Sequence, residues 1–139
     1  MPQALVSWKP AADVWSVMEN LCHVDEFIPY WTGQAEQAAR QPDQPWGRDH
    51  TSTARIDAVN RAGARSLADV LGSIEGGARA AGARIRRMTD QELDTEATSR
   101  NPKWGLKPAA FVLDHLVAEH VEKHLGQVRR NVAQYEQQK

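Results

Sequence analysis

His120 and His124 stand four residues apart within Asp114 to Gln127, a stretch whose apolar residues keep helical spacing. On an α-helix that interval puts two imidazoles on one face, one turn apart. Leu113, Leu116, Val117, Val121, Val128 and Tyr135 mark the buried arc of the same helix, and both histidines fall inside it. Polar side chains on a buried stripe must find partners, because unpaired they are costly. This limits the fold more than any other feature: another element has to present a partner to this face. One divalent ion is such a partner, since histidines at i and i+4 can reach a single metal. A catalytic site of the zinc type takes three protein ligands and keeps a position open. The candidate for the third ligand is His23, far upstream at the edge of another apolar stripe. His115 is offset from the pair by five and nine residues, well round the helix at about 100° per residue, and is left out. His50 lies in a polar segment with no partner in sequence.

Residues 1–10, bracketed by Pro2 and Pro10, read as an extended lead-in. Asp13 is placed to cap a helix beginning at Val14, in which Val17, Leu21, Val24 and Ile28 continue an apolar stripe. Pro29 is expected to end or kink it. Residues 33–47, with Gly33, Pro42, Pro45 and Gly47, read as a long connection, and 49–62 as a short helix. Ser66 and Asp69 form a capping pair for the next helix. Its seam runs Leu67, Leu71, Ile74, Ala78, Ala81, Ile85, Met88, with the alternating three and four spacing of a left-handed bundle. Thr89 and Glu92 can cap a further turn. Residues 94–107 are polar and read as irregular, and Pro108 suits the first turn of the last helix.

The 139 residues fit one domain, 1–139, and 41% hydrophobic with 25% charged residues is a globular composition. A formal net charge of −1 argues against a general nucleic-acid binder. No apolar run approaches a membrane span. A single cysteine, Cys22, permits no internal disulfide and suits a reducing compartment, so the expected location is cytoplasmic.

Two motifs carry a family resemblance. Trp15-Ser16-Val17, followed by Glu19, Leu21 and His23, and the ending Glu119 to Val128 with His120, His124, Leu125 and Gln127, resemble the opening and closing helices of the DinB/YfiT-like superfamily. Ile56 to Asn60, Ser66 to Leu71 and Thr89 to Leu93 resemble its middle section, so the similarity runs from about residue 8 to 135.

The resemblance implies an all-α fold, a four-helix bundle, with a divalent metal, zinc or nickel, held by His23, His120 and His124. It also implies an enzyme in which the metal activates water, as in a hydrolase, or a low-molecular-weight thiol, as in a thiol S-transferase or isomerase. The alternative is a non-catalytic stress-response or binding protein with a structural or vestigial metal. Glu19, Glu26 and Glu119 are the candidates for orienting the ligands, and Trp15 and Trp31 could line a pocket, although tryptophans in a small helical domain are more often core. The sequence departs from the family pattern in lacking the usual first helix before the tryptophan-serine motif. A bundle short of one helix leaves a groove walled by residues such as Leu67, Leu71, Ile74, Ile85, Val117 and Val128. The expectation is a homodimer in which one chain covers the gap in the other.

Overall fold

The computed structural model of the chain describes residues 1–49 and 51–138, and His50 lies outside them. The molecule is built on one long helix, α2 (Val17–Arg40). Ser16 caps it: its Oγ accepts from the Glu19 amide at 3.1 Å, and the Glu19 carboxylate accepts from the Ser16 amide at 2.9 Å. This reciprocal pair, rather than Asp13, sets the start, so the helix begins after Ser16 and not at Val14.

Pro29 does not end α2. It sits exposed on the outer face, so the carbonyl that loses its helical donor lies on the solvent side. The inner faces on either side of it, Phe27, Ile28, Trp31, Thr32, Ala35 and Ala38, are buried. Burying Trp31 removes on the order of 150–250 Å² from water, worth about 4–6 kcal/mol, against roughly 3 kcal/mol for an interior proline. The helix therefore runs on to Arg40, and only the end of the expected 33–47 connection is loop.

The lead-in is not extended. It forms a short helix, α1 (Gln3–Ser7), that buries Leu5 and Val6. Val6 joins Val17, Met18, Leu21, Cys22, Ala62 and Val70 in one apolar cluster. The short helix expected within 49–62 is α3 (Ala54–Asn60), followed by a 3₁₀ turn at Ala62–Ala64. Ser66 caps α4 (Leu67–Arg86), accepting from the Asp69 amide at 3.1 Å. The seam of α4 departs from the expected one at two positions: Leu71 is 48% exposed and Ala78 is also exposed, with Val70 buried beside them, whereas Ala81 is buried as expected. Leu67, Ile74, Ile85 and Met88 still pack inward.

Thr89 and Glu92 form the expected capping box at the head of α5 (Asp90–Asp94). The segment expected to be irregular holds a hairpin of β1 (Glu96–Thr98) and β2 (Leu106–Pro108), antiparallel, with Ala97 opposite Lys107. Trp46 fastens this hairpin to the loop after α2. Its indole Nε1 donates to the Ala97 carbonyl at 2.8 Å, its amide donates to Thr98 at 3.0 Å, and its carbonyl accepts from Arg100 at 2.8 Å. Gly47 follows at φ 84°, and a Cβ there would lie 3.2 Å from the Trp31 ring, so both conformation and space call for glycine.

Pro108 caps the last helix rather than opening it. That helix runs as α6 (Ala109–Phe111), a π-helical stretch (Val112–Ala118) and α7 (Glu119–Gln137). The main core gathers Val24, Phe27, Trp31, Ala81, Ala97, Val112, Leu113 and Leu116 from α2, α4, β1 and the π stretch. The architecture is thus the expected helical bundle, packed around α2, with a small hairpin at one end. Among the described residues no helix is long and apolar enough to cross a membrane.

Candidate metal centre

His23 lies on the inner face of α2 and is 4% exposed. The capping box at Ser16 fixes where α2 begins and hence which way His23 faces. His120 and His124 come from the first turns of α7 and are half-buried. The π stretch buries Val112, Leu113 and Leu116. The regular turns after it bring both histidines round to His23.

The three rings meet. Ring centroids are 5.2 Å apart for His23 and His120, 4.6 Å for His23 and His124, and 4.8 Å for His120 and His124. One nitrogen from each ring lies within 4.8 Å of the others, close enough for a single ion to hold all three. Phe27 stacks on His120 at 3.9 Å with the planes 7° apart, and Trp15 stacks on His124 at 6.0 Å. These aromatic walls fix the ring planes.

Hydrogen bonds choose the free nitrogens. The Nδ1 of His120 lies 3.2 Å from the Leu116 carbonyl, which can only accept, so Nδ1 carries the proton and Nε2 keeps its lone pair. The Nδ1 of His124 lies 2.9 Å from Asn20 Oδ1. The same amide's Nδ2 donates to the carbonyls of Ser16 at 2.9 Å and Trp15 at 3.3 Å. Two carbonyls on one side of the amide leave only its oxygen for His124, so His124 also donates from Nδ1 and offers Nε2. Asn131, fully buried on α7, donates to the Trp15 carbonyl at 2.8 Å and accepts from Gln127 at 2.7 Å. A chain of buried amides thus ties α2 to α7 beside the histidines. The Nδ1 of His23 is buried and has no hydrogen-bond partner among the described residues, which leave this ring nitrogen unsatisfied.

Burial holds all three imidazoles neutral. It pushes His23 down to about 3, helped by His124 and His120, whose charge would repel its own. Burial likewise lowers His120 to about 4, against the opposing pull of the Leu116 carbonyl, and His124 to about 4, helped by His120 and Lys123. Neutral imidazoles with free lone pairs are what metal coordination requires. Judged by donor chemistry, the orphaned His23 nitrogen and the paired ring nitrogens behind the other two, a divalent ion fits.

The carboxylates expected to orient the ligands are engaged elsewhere. Glu19 belongs to the capping box, Glu26 pairs both its oxygens with Arg48, and Glu119 accepts from His115. Asn20 and a backbone carbonyl take that role, and neither was singled out in the sequence. The signal was available: Asn20 falls on the Val17, Val24 stripe, and Gln127 and Asn131 continue the four, three, four spacing from His120 and His124. His115 lies apart from the cluster, stacked on Phe111 and close to Trp104. Both tryptophans named as pocket candidates, Trp15 and Trp31, line the cleft over the histidines.

A helical bundle in which three neutral imidazoles from two helices converge at the floor of a cleft is a site that could hold one metal ion. The chain belongs to the DinB superfamily, whose family model matches residues 1–128. No curated protein and no solved structure matches it.

Proposed function

We propose that this protein is a metal-dependent enzyme in which His23, His120 and His124 hold one divalent ion, zinc or nickel. The observation that carries the reading is the convergence of the three neutral imidazoles beneath an open cleft. Among the described residues no fourth imidazole, thiol or carboxylate joins the three, which suits a catalytic rather than a structural site. A bound divalent ion supplies Lewis acidity, lowering the pKa of a water or thiol brought to its open position. The reaction class is accordingly hydrolysis or the transfer of a low-molecular-weight thiol.

The chain's own residues do the positioning. The Leu116 carbonyl and Asn20 keep the Nδ1 protons of His120 and His124 turned away from the shared centre. Phe27 and Trp15 stop the rings from rotating. Trp15 and Trp31 wall the cleft with apolar surface, which limits the water that reaches a bound substrate. Metal analysis of the purified protein, with X-ray absorption at the bound ion, tests the proposal. One ion per chain with three imidazole nitrogens at about 2.0–2.2 Å and an exchangeable further ligand is expected. A fourth protein ligand would turn the reading toward a structural metal, and absence of binding would end it.

A further inference from the structure

The cleft above the histidines has a charge that the chain as a whole does not. Acidic residues outnumber basic ones, 18 to 17. Yet the cleft is lined by Arg48, Arg55, Lys103 and Lys123, with Asp49 as its one carboxylate among the described residues. Arg48 is neutralised, because both its terminal nitrogens grip Glu26, at 2.9 and 2.7 Å. Arg55, Lys103 and Lys123 form no ion pair with any described residue. Glu119, on the neighbouring groove, is bound to His115.

These three cations arrive from separate elements. Arg55 stands on α3, Lys103 on the turn between β1 and β2, and Lys123 on α7, on the turn between His120 and His124. Lys103 is steadied by Trp104, with its Nζ 4.7 Å from the ring centroid. Repulsion between unpaired cations facing one cleft is relieved by an anion between them. Trp15 and Trp31 add apolar walls to the same cleft. Separated side-chain cations with indole faces between them suit an organic body carrying a carboxylate.

We propose that this cleft binds a small organic carboxylate, its anionic group held by Arg55, Lys103 and Lys123, its apolar body against Trp15 and Trp31, and its reacting end over the three histidines. The inference rests on the metal-enzyme reading for what happens at the histidines, but not for the binding itself. Each exposed charge pair is worth about 1.5- to 5-fold in binding, so three together give roughly tenfold. Screening by salt reduces that factor.

The test compares two probes of equal shape, 1-naphthoate and its neutral amide, 1-naphthamide, by calorimetric titration of metal-free full-length protein at low ionic strength. Naphthoate should bind about tenfold more tightly than the amide. The double variant Arg55→Gln, Lys123→Gln should bring the two probes to near parity without moving the melting temperature, and Lys103→Gln should reduce the ratio part of the way. Equal affinity for acid and amide, no binding of naphthoate, or an unchanged ratio in the variants would overturn the proposal. Tighter binding of inorganic phosphate than of naphthoate would also overturn it. Because no metal is present, these outcomes are distinct from a failure of the metal reading, which shows instead as no zinc uptake by the same protein.

Discussion

Replacing Asn20 with alanine separates the stability of the fold from the preparation of the proposed metal centre. The change deletes three hydrogen bonds: from Nδ2 to the carbonyls of Ser16 and Trp15, and from His124 Nδ1 to Oδ1. The two carbonyls keep other donors, since Ser16 still accepts from the Asn20 backbone amide at 3.0 Å and Trp15 from Asn131 at 2.8 Å. The group left without a partner is His124 Nδ1. Lost neutral hydrogen bonds at about 1 kcal/mol each, with one orphaned donor, place the destabilisation at roughly 2–4 kcal/mol. For a domain of this size that lowers the melting temperature by about 6–12 °C. The imidazole, no longer held by its Nδ1 proton, can rotate or change tautomer, and zinc affinity should fall about 10- to 100-fold. Asn20→Asp provides the contrast. A carboxylate still accepts from His124 but cannot donate to Ser16 and Trp15, so it should lose stability while retaining the metal. Zinc affinity is read by competition with a chromophoric chelator, and the His124 tautomer by long-range ¹H–¹⁵N spectra of the metal-free protein. Unchanged zinc affinity in Asn20→Ala, or a parent protein whose His124 carries its proton on Nε2, would refute the argument.

Other perturbations test other parts of the molecule. His124→Ala should abolish metal binding, whereas His115→Ala, removing a ring that hydrogen-bonds Glu119 at 2.8 Å and stacks on Phe111 away from the cluster, should leave metal content unchanged by elemental analysis. The metal-free protein should lose stability in acid. Unfolded imidazoles titrate near 6.5, whereas the folded ones are held at about 3 for His23 and about 4 for His120 and His124. The unfolded chain then binds more protons between those values, so this stability is full above about pH 6.5 and is lost as pH falls toward 4. Thermal melts across that window should show a smaller loss in the double variant His120→Gln, His124→Gln. Arg48→Met leaves the Glu26 carboxylate, 18% exposed, without its partner, and should destabilise by about 3 kcal/mol in urea titrations. We further propose that the chain forms a homodimer in which one chain covers the groove of the other; of the residues expected to wall that groove, Leu71 is the exposed one, at 48%. Light scattering should give twice 15.5 kDa for the parent and one chain mass for Leu71→Glu, and a monomeric parent would refute this.

The histidine pair was legible because helical spacing is strict after Glu119, and any partner for such a pair had to come from another helix. His23 could be named because it lies on a helix whose apolar stripe is also strict. Two kinds of feature escaped for physical reasons. One is tertiary override. Pro29 signals a stop in any local reading, but the residues beyond it have more to gain from burial than the proline takes away, and only the packed structure shows that its own position is on the outer face. The hairpin at β1 and β2 escaped similarly, because three-residue strands pinned by Trp46 from a distant loop have no period to read.

The other kind is helical phase. The π stretch, Val112–Ala118, inserts a wider turn before α7, so residues on either side of it do not share one α-helical wheel. On α4 the departure is local: the seam holds at Leu67, Ile74, Ala81 and Ile85, and between them Val70 and Gly77, about 100° round from Leu71 and Ala78, take the inward places. Apolar counts could not choose between these faces, since both contain apolar residues. Polar residues could have chosen for α7. A buried stripe tolerates an amide only where that amide is bonded, and Gln127 and Asn131 continue the line of His120 and His124 at intervals of three and four. On α2, Asn20 stands one turn before His23 and Val24, and with His23 it is a polar residue in a run of mostly apolar buried positions. Buried amides facing a histidine pair from two helices point to a held imidazole, and a held imidazole with its second nitrogen free points to a ligand. The same residues that stabilise the bundle therefore decide which nitrogens face the candidate metal centre, which is why Asn20→Ala and Asn20→Asp should part company in zinc affinity while both lose stability.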